Sequence, residues 1–184
     1  MTYPKHIKVL SLDLATQTGW AVLANGVVTS GTKGFQRYLG SKSKPADHQG
    51  AGKLAFHYWI HEILRDDKPE CICYEAVYRW MSSAASITYG SYHGLMMAQA
   101  ANYDIPVFGY SPTHIKKFWT GKGNSKKDAM IAEAKTRHPE MEIVDDNQAD
   151  ALAILALHIN QTMEPALVHG NPDGTGTIII EDTT

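Results

Sequence analysis

The sequence predicts an α/β fold: a mixed sheet of three antiparallel leading strands and then parallel strands, flanked by helices. Three observations carry that expectation. Residues 7–14, 19–23 and 27–32 form three strand-like apolar runs at the start of the chain. Asn25-Gly26 separates the last two, and Asn-Gly between apolar runs is the strongest short hairpin signal. Beyond residue 46, helix-spaced and strand-like runs alternate, the pattern of parallel strands covered by helices on both faces.

The elements follow in order. The first run is apolar apart from Lys8, Ser11 and Asp13, and Thr18-Gly19 reads as the turn that returns the chain as the second strand. A connector rich in Gly, Ser and Lys, residues 34–45, leads into residues 46–67, where Leu54, Trp59, Ile60, Ile63 and Leu64 recur at helical spacing. Residues 70–77 read as a short buried strand, 82–103 as a helix rich in small residues, and 106–110 as another strand. Three helices are expected to close the domain, at 112–119, 126–137 and 147–161. Ser125 and Asp128 have the spacing of a capping box at the start of the middle one. Residues 1–162 are thus one domain. Residues 163–184, where Pro, Gly, Asn and Thr surround a lone Ile178-Ile179-Ile180, are expected to form a flexible or partner-docking tail.

Composition narrows the class. A chain of 184 residues, 43% hydrophobic, can bury one good core. No run approaches the roughly 18 apolar residues of a membrane span, and the first eight residues lack the apolar stretch of a signal peptide. The protein is therefore expected in the cytoplasm, without a membrane partner. Cys71 and Cys73 are too few for a disulfide framework or a complete zinc site and read as small core residues. His57 and His61 stand four apart, the spacing of a zinc pair, but lack the Glu of the metalloprotease arrangement. The formal charge of -2 argues, taken alone, against nucleic acid as a partner. The distribution qualifies this: Glu164, Asp173, Glu181 and Asp182 lie in the tail without a Lys or Arg, leaving the rest at +2. Lys116, Lys117, Lys122, Lys126 and Lys127 crowd one short stretch, and Lys33, Arg37, Lys42 and Lys44 another.

The acidic residues carry the chemistry. Asp13 and Glu75 lie in strands expected to be buried, flanked by apolar residues, and an ionised carboxylate is almost never buried without a partner. Asp146 and Asp150 are four apart at the start of an apolar helix, which places both on one face near its N-terminus. Converging carboxylates repel and call for cations, and hard oxygen ligands select Mg²⁺ or Mn²⁺. Two such ions about 3.5–4 Å apart activate a water and stabilise the leaving oxygen in phosphodiester cleavage.

The stretches "LSLDLATQTGWAVL", "CICYEAVYRW", "IPVFGYSPTHIKKFWTGKGNSKKDAM" and "NQADALAILALH" resemble the RuvC-type Holliday-junction resolvases of the RNase H-like superfamily, from Lys8 to about His158. The resemblance implies an RNase H-like fold and a metal-dependent, structure-selective endonuclease that resolves four-way or branched DNA by paired phosphodiester hydrolysis. It implies metal ligands at Asp13, Glu75 and Asp150, with two Mg²⁺ (or Mn²⁺) ions per site. A fourth ligand is implied three residues before Asp150, where this chain has Asn147; Asp146, one residue earlier, brings the charge and is favoured. Tyr78 falls where the family carries an aromatic that stacks on an unpaired base, worth about 1–3 kcal/mol. Lys116, Lys117, Lys122 and Lys126, with amides around Gly121 and Gly123, match the family's phosphate-facing segment. Gly90 and Gly94 lie on the helix that forms the family's dimer interface, so a homodimer is implied, in a bacterial cytoplasm or a phage-infected host.

Three alternatives stand beside this reading: a debranching nuclease of the same fold with relaxed substrate choice, a catalytically degenerate junction-binding module, and an ATP-binding actin-like domain. The last also carries an Asp before a Thr-Gly pair in its first strand, but binds nucleotide between two domains, and this chain has length for one.

Overall fold

The structure, a computed structural model, describes residues 3–35, 50–78 and 82–163. Among them run β1 (Val9–Asp13), β2 (Gln17–Ala24), β3 (Val27–Gly34), α1 (Ala51–Asp66), β4 (Cys71–Glu75), α2 (Ser83–Asn102), β5 (Val107–Tyr110), α3 (Pro112–Thr120), α4 (Lys127–Arg137) and α5 (Asp146–Met163). The strands form one sheet in the order β3-β2-β1-β4-β5. The β1–β2 and β2–β3 pairs are antiparallel, and the β1–β4 and β4–β5 pairs are parallel. This is the expected mixed sheet. Asn25 and Gly26 take φ of 54° and 78°, the paired positive values of the tight turn that matches strand twist.

Side-chain alternation divides the core between the two faces of the sheet. Leu10, Leu12 and Ile72 pack with Phe56, Ile60 and Leu64 of α1 and Tyr92 and Met96 of α2. Val9, Cys71 and Cys73 pack on the opposite face with Ile115 and Trp119 of α3, Met130 of α4 and the apolar length of α5. Residues 151 to 159 of α5 are buried throughout, and a helix covered on all sides belongs inside a domain. Its alanines let it lie close: the Ser11 hydroxyl in β1 donates to the Ala151 carbonyl at 2.6 Å.

Several expectations change in detail. Leu54 is 53% exposed; the buried stripe of α1 is Phe56, Ile60 and Leu64. Phe56 meets Phe35 and Tyr92 edge-on at 5.3 and 5.0 Å. Thr18-Gly19 is not the turn. Both residues already lie in β2, and the Thr18 hydroxyl reaches back to the Ala15 carbonyl at 2.6 Å to close the turn that precedes it. The capping box at Ser125 and Asp128 does not form: Lys126 is the N-cap of α4 and makes no side-chain cap bond, while the Ser125 hydroxyl donates to the Lys122 carbonyl. His57 and His61 serve the α1–α2 contact, their Nδ1 atoms lying 3.1 Å from Gln99 Nε2 and 3.0 Å from Tyr103 Oη. Arg37, Lys42, Lys44 and the tail beyond Met163 lie outside the described residues.

Candidate active site

The strand half of the site follows from pairing register. β1 and β4 run parallel with Ser11 opposite Cys73 and Leu12 opposite Tyr74, so Asp13 and Glu75 stand side by side at adjacent strand ends. The C-terminal edge of parallel strands is where open α/β sheets place their ligands. Alternation puts both carboxylates on the face covered by α5, since Ser11 bonds to that helix and Cys73 is buried in its cluster.

The helix half is brought in by a glycine and a cap. Gly19 lies opposite Asp13 in β2, and a Cβ there would stand 1.9 Å from the Asn147 carbonyl oxygen. Only glycine lets the start of α5 sit against β2 at this level. Asp145, which sequence reasoning passed over, caps the helix: its Oδ1 accepts the Gln148 N–H at 2.9 Å and the Thr32 hydroxyl of β3 at 2.6 Å. The Gln148 amide donates to Ser30 Oγ at 3.0 Å and to the Glu142 carbonyl at 3.2 Å. The β2–β3 hairpin therefore fixes the turn that carries Asp146 and Asp150. The signal available in the sequence was an Asp three residues before a Gln at a helix start.

Charge in the cluster is unbalanced. Burial, then the carboxylates of Glu75, Asp150 and Asp146, hold the Asp13 carboxyl well above the usual carboxylate range. Burial and then Asp150 push Glu75 up to about 7, against an opposing pull from Lys116. Burial pushes Asp150 up to about 6, opposed by Lys116 and reinforced by Asp146. Asp150 Oδ1 is buried without a hydrogen-bond partner. The Asp146 carboxylate pairs with the Lys127 ammonium. Among the described residues no three His, Cys, Asp or Glu side chains are already arranged as a metal shell. The four acids are gathered at one end of the sheet but not closed around a point.

The basic residues divide. Lys116 on α3 is half-buried and acts on Glu75 and Asp150, whereas Lys117, Lys122 and Lys126 are exposed. Lys127, counted in the basic stretch but not singled out from it, is the cation that touches the cluster. Nothing in its spacing distinguished it from Lys126. The Gly121 amide is already used: Gly121, at φ 80°, ends α3 and donates to the Lys117 carbonyl at 3.0 Å, so it is not free to face a phosphate. Tyr78 is 83% exposed, three residues beyond Glu75.

Comparison with known proteins agrees with this architecture. The model of the RuvC family, crossover junction endodeoxyribonuclease RuvC, matches residues 15–158, a span that holds Glu75, Asp146 and Asp150 and begins just after Asp13. The crossover junction endodeoxyribonuclease RuvC of Agrobacterium fabrum is 28% identical over 156 residues, covering 84% of this chain and 89% of its own. That of Chlamydia trachomatis is 34% identical over 103 residues, covering 54% and 60%. Among solved structures, Thermus thermophilus RuvC in complex with Holliday junction substrate superimposes with a TM-score of 0.69 at 22% identity, over 86% of this chain and 96% of that one. The yeast mitochondrial Holliday junction resolvase gives 0.51 at 15% identity, over 83% and 77%. The sheet order, the carboxylates at its C-terminal edge and a family match over most of the chain lead to one conclusion: the chain belongs to the RuvC family of crossover junction endodeoxyribonucleases.

Proposed function

We propose that the protein is a divalent-metal-dependent endonuclease that resolves four-way DNA junctions as a homodimer, with Asp13, Glu75, Asp150 and Asp146 as metal-holding residues. The observation that carries the reading is the unpartnered buried Oδ1 of Asp150, facing two carboxyls that burial and mutual repulsion keep from ionising freely. Hard oxygen donors with unmet negative charge fit Mg²⁺ or Mn²⁺, and a ligand set of this kind supplies room for two ions. Bound there, the ions would activate a water and stabilise the leaving oxygen of a phosphodiester.

The chain's own residues do the rest. The paired strand ends hold Asp13 and Glu75 at fixed separation, and the hairpin-locked start of α5 presents Asp150 and Asp146 to them. Lys127 and Lys116 flank the acids and face the phosphate backbone, with Lys117, Lys122 and Lys126 extending the basic surface. Tyr78 offers an open ring face for a base at the crossover. The dimer reading rests on α2: Gly90 and Gly94 have nothing within 4 Å of an added Cβ, and Ile87 and Met97 are 65% and 41% exposed along the same helix. A second copy is the occupant such a face suits, since each copy would cut one of two symmetric strands. Among the described residues, no helix is long and apolar enough to cross a membrane.

A labelled immobile four-way junction, a linear duplex and a flap, each with Mg²⁺ and with EDTA, test this. Paired, metal-dependent nicks confined to the junction are expected. Equal cutting of all three substrates would replace the junction reading with a debranching nuclease, and retention without cutting would reduce it to a binding module.

A further inference from the structure

Two residues one turn apart on α2 grip the chain on either side of Glu75. The Tyr89 hydroxyl donates to the Glu75 carbonyl at 2.8 Å and lies 3.3 Å from the Val77 amide, whose N–H it accepts. His93 Nε2 lies 3.2 Å from the Tyr74 hydroxyl, on the other side of Glu75. The Tyr89 and His93 rings are stacked, 5.6 Å between centroids and 8° between planes. β5 leaves room for the arrangement: a Cβ on Gly109 would stand 3.0 Å from Tyr74 Cζ, Tyr74 Oη and Ala76 Cβ. The Ala76 N–H donates to the Tyr110 carbonyl at 2.8 Å, the last bond to β5 before the chain leaves the sheet. Around that point the Glu75 carbonyl and the amide of Val77, the residue before Tyr78, are bridged by the Tyr89 hydroxyl. Burial pushes that phenol up to about 12, so it keeps its proton across any working pH.

We propose that Tyr89, backed by His93, is a positioning residue for cleavage, locking the span from Glu75 to Tyr78 so that the carboxylate and the exposed ring meet DNA in a fixed relation. The inference rests on the roles proposed above for Glu75 and Tyr78. One hydroxyl holding two consecutive peptide groups removes the freedom that the segment gains where β4 ends, and displacements of about 1 Å in a positioned group cost up to about 100-fold in rate.

The test is Tyr89→Phe in the full chain, on an immobile junction carrying a fluorescent purine analogue at the crossover. Affinity and fluorescence are read in Ca²⁺, and single-turnover cleavage is read in Mg²⁺. The half-saturating concentration should stay within about twofold while the saturating rate falls about tenfold and the fluorescence gain on binding shrinks. A merely structural tyrosine would lower the melting temperature and leave saturating rate and fluorescence unchanged, and that result overturns the proposal. His93→Phe keeps a stacked ring but loses the Tyr74 contact, and should shift both readouts in the same direction by less. Should Tyr89→Phe melt below the assay temperature, His93→Phe carries the test, and a wild-type rate and fluorescence in that variant overturn the proposal. Glu75→Gln is the separate control: it should abolish cleavage and keep the fluorescence gain. If Glu75→Gln cuts normally, the metal-site reading fails, whatever Tyr89 does.

Discussion

The two halves of the site are built in different ways. Asp13 and Glu75 stand at the ends of central strands, paired with Gly19 of β2 and Tyr110 of β5, and neither forms an ion pair among the described residues. Asp146 and Asp150 ride on a helix start held by removable contacts, Asp145, Gln148 and the space at Gly19, with Lys127 and Lys116 beside them. Rigidity and direct ion pairing are thus separated. The strand half supplies accurate position with no ion pair of its own and only a distant pull from Lys116 and Lys127; the helix half supplies adjustable position with a cation in direct contact. Function and stability should respond oppositely to change at Asp13 in the first half and together to change in the packing that seats the second.

The largest effect is expected at Asp13. Asp13→Asn keeps the shape but removes a charge that burial and three other carboxyls oppose. Junction cleavage should fall about 10³-fold or more, a loss of roughly 4 kcal/mol in barrier terms, while junction binding persists. The melting temperature of the metal-free protein should rise. A fall in melting temperature would show that Asp13 is held by the fold and not strained within it, which would undo the contrast.

Gly19→Ala attacks the helix half instead. The added methyl meets backbone, not a flexible side chain, so the start of α5 must move away from β2. A destabilisation of about 1–3 kcal/mol or more is expected by denaturant melt, together with weaker Mn²⁺ binding by calorimetry. Here stability and metal affinity fall together, unlike at Asp13.

The pH response joins the halves, one acid from each. Glu75 and Asp150 titrate at about 7 and about 6 in the fold, against 4.5 and 3.8 as ordinary values. Their folded pKa values are raised, so the folded form holds protons that the unfolded form has released. Metal-free stability is therefore highest near pH 4 as far as these groups act, and declines as pH rises through 6 and 7. Saturating Mg²⁺ should remove most of the decline, because the bound cation takes the proton's place. A metal-free melting temperature that climbs from pH 5 to 8 would mean that the cluster is relieved by other groups.

How much of this was legible in the sequence follows the same division. Alternation, the Asn-Gly hairpin and the burial of Asp13 and Glu75 in strand-like runs are local patterns, and the structure places those strands as expected. What could not be read depended on residues distant in the chain. Gly19 looked like a turn residue because glycine in a turn and glycine under a helix give the same letter; its role needs Asn147, far along the chain. Lys127 matched Lys126 in every local respect, and only the rotation of α4 turns one toward Asp146. The Tyr89 bridge left no pattern at all, since a small-residue helix offers no reason to prefer one tyrosine over another.

The smallest predicted effect probes the seam between the halves. Asp145 is an acid beside the cluster that the geometry assigns to capping: Oδ1 takes the Gln148 N–H and the Thr32 hydroxyl, linking α5 to β3. Loss of such a cap costs about 0.5–2 kcal/mol, so Asp145→Ala should lower stability by about 1 kcal/mol. Asp145→Asn retains an oxygen able to accept both bonds and should lose less. Asp146→Asn should reverse the order of effects: stability barely changes, because its partner Lys127 is exposed, while Mn²⁺ binding weakens clearly. Calorimetric Mn²⁺ titrations of the three variants decide the matter. If Asp145→Asn weakens metal binding more than Asp146→Asn does, the cap and the ligand have been exchanged, and the helix half would hold its ion from one residue earlier in the chain.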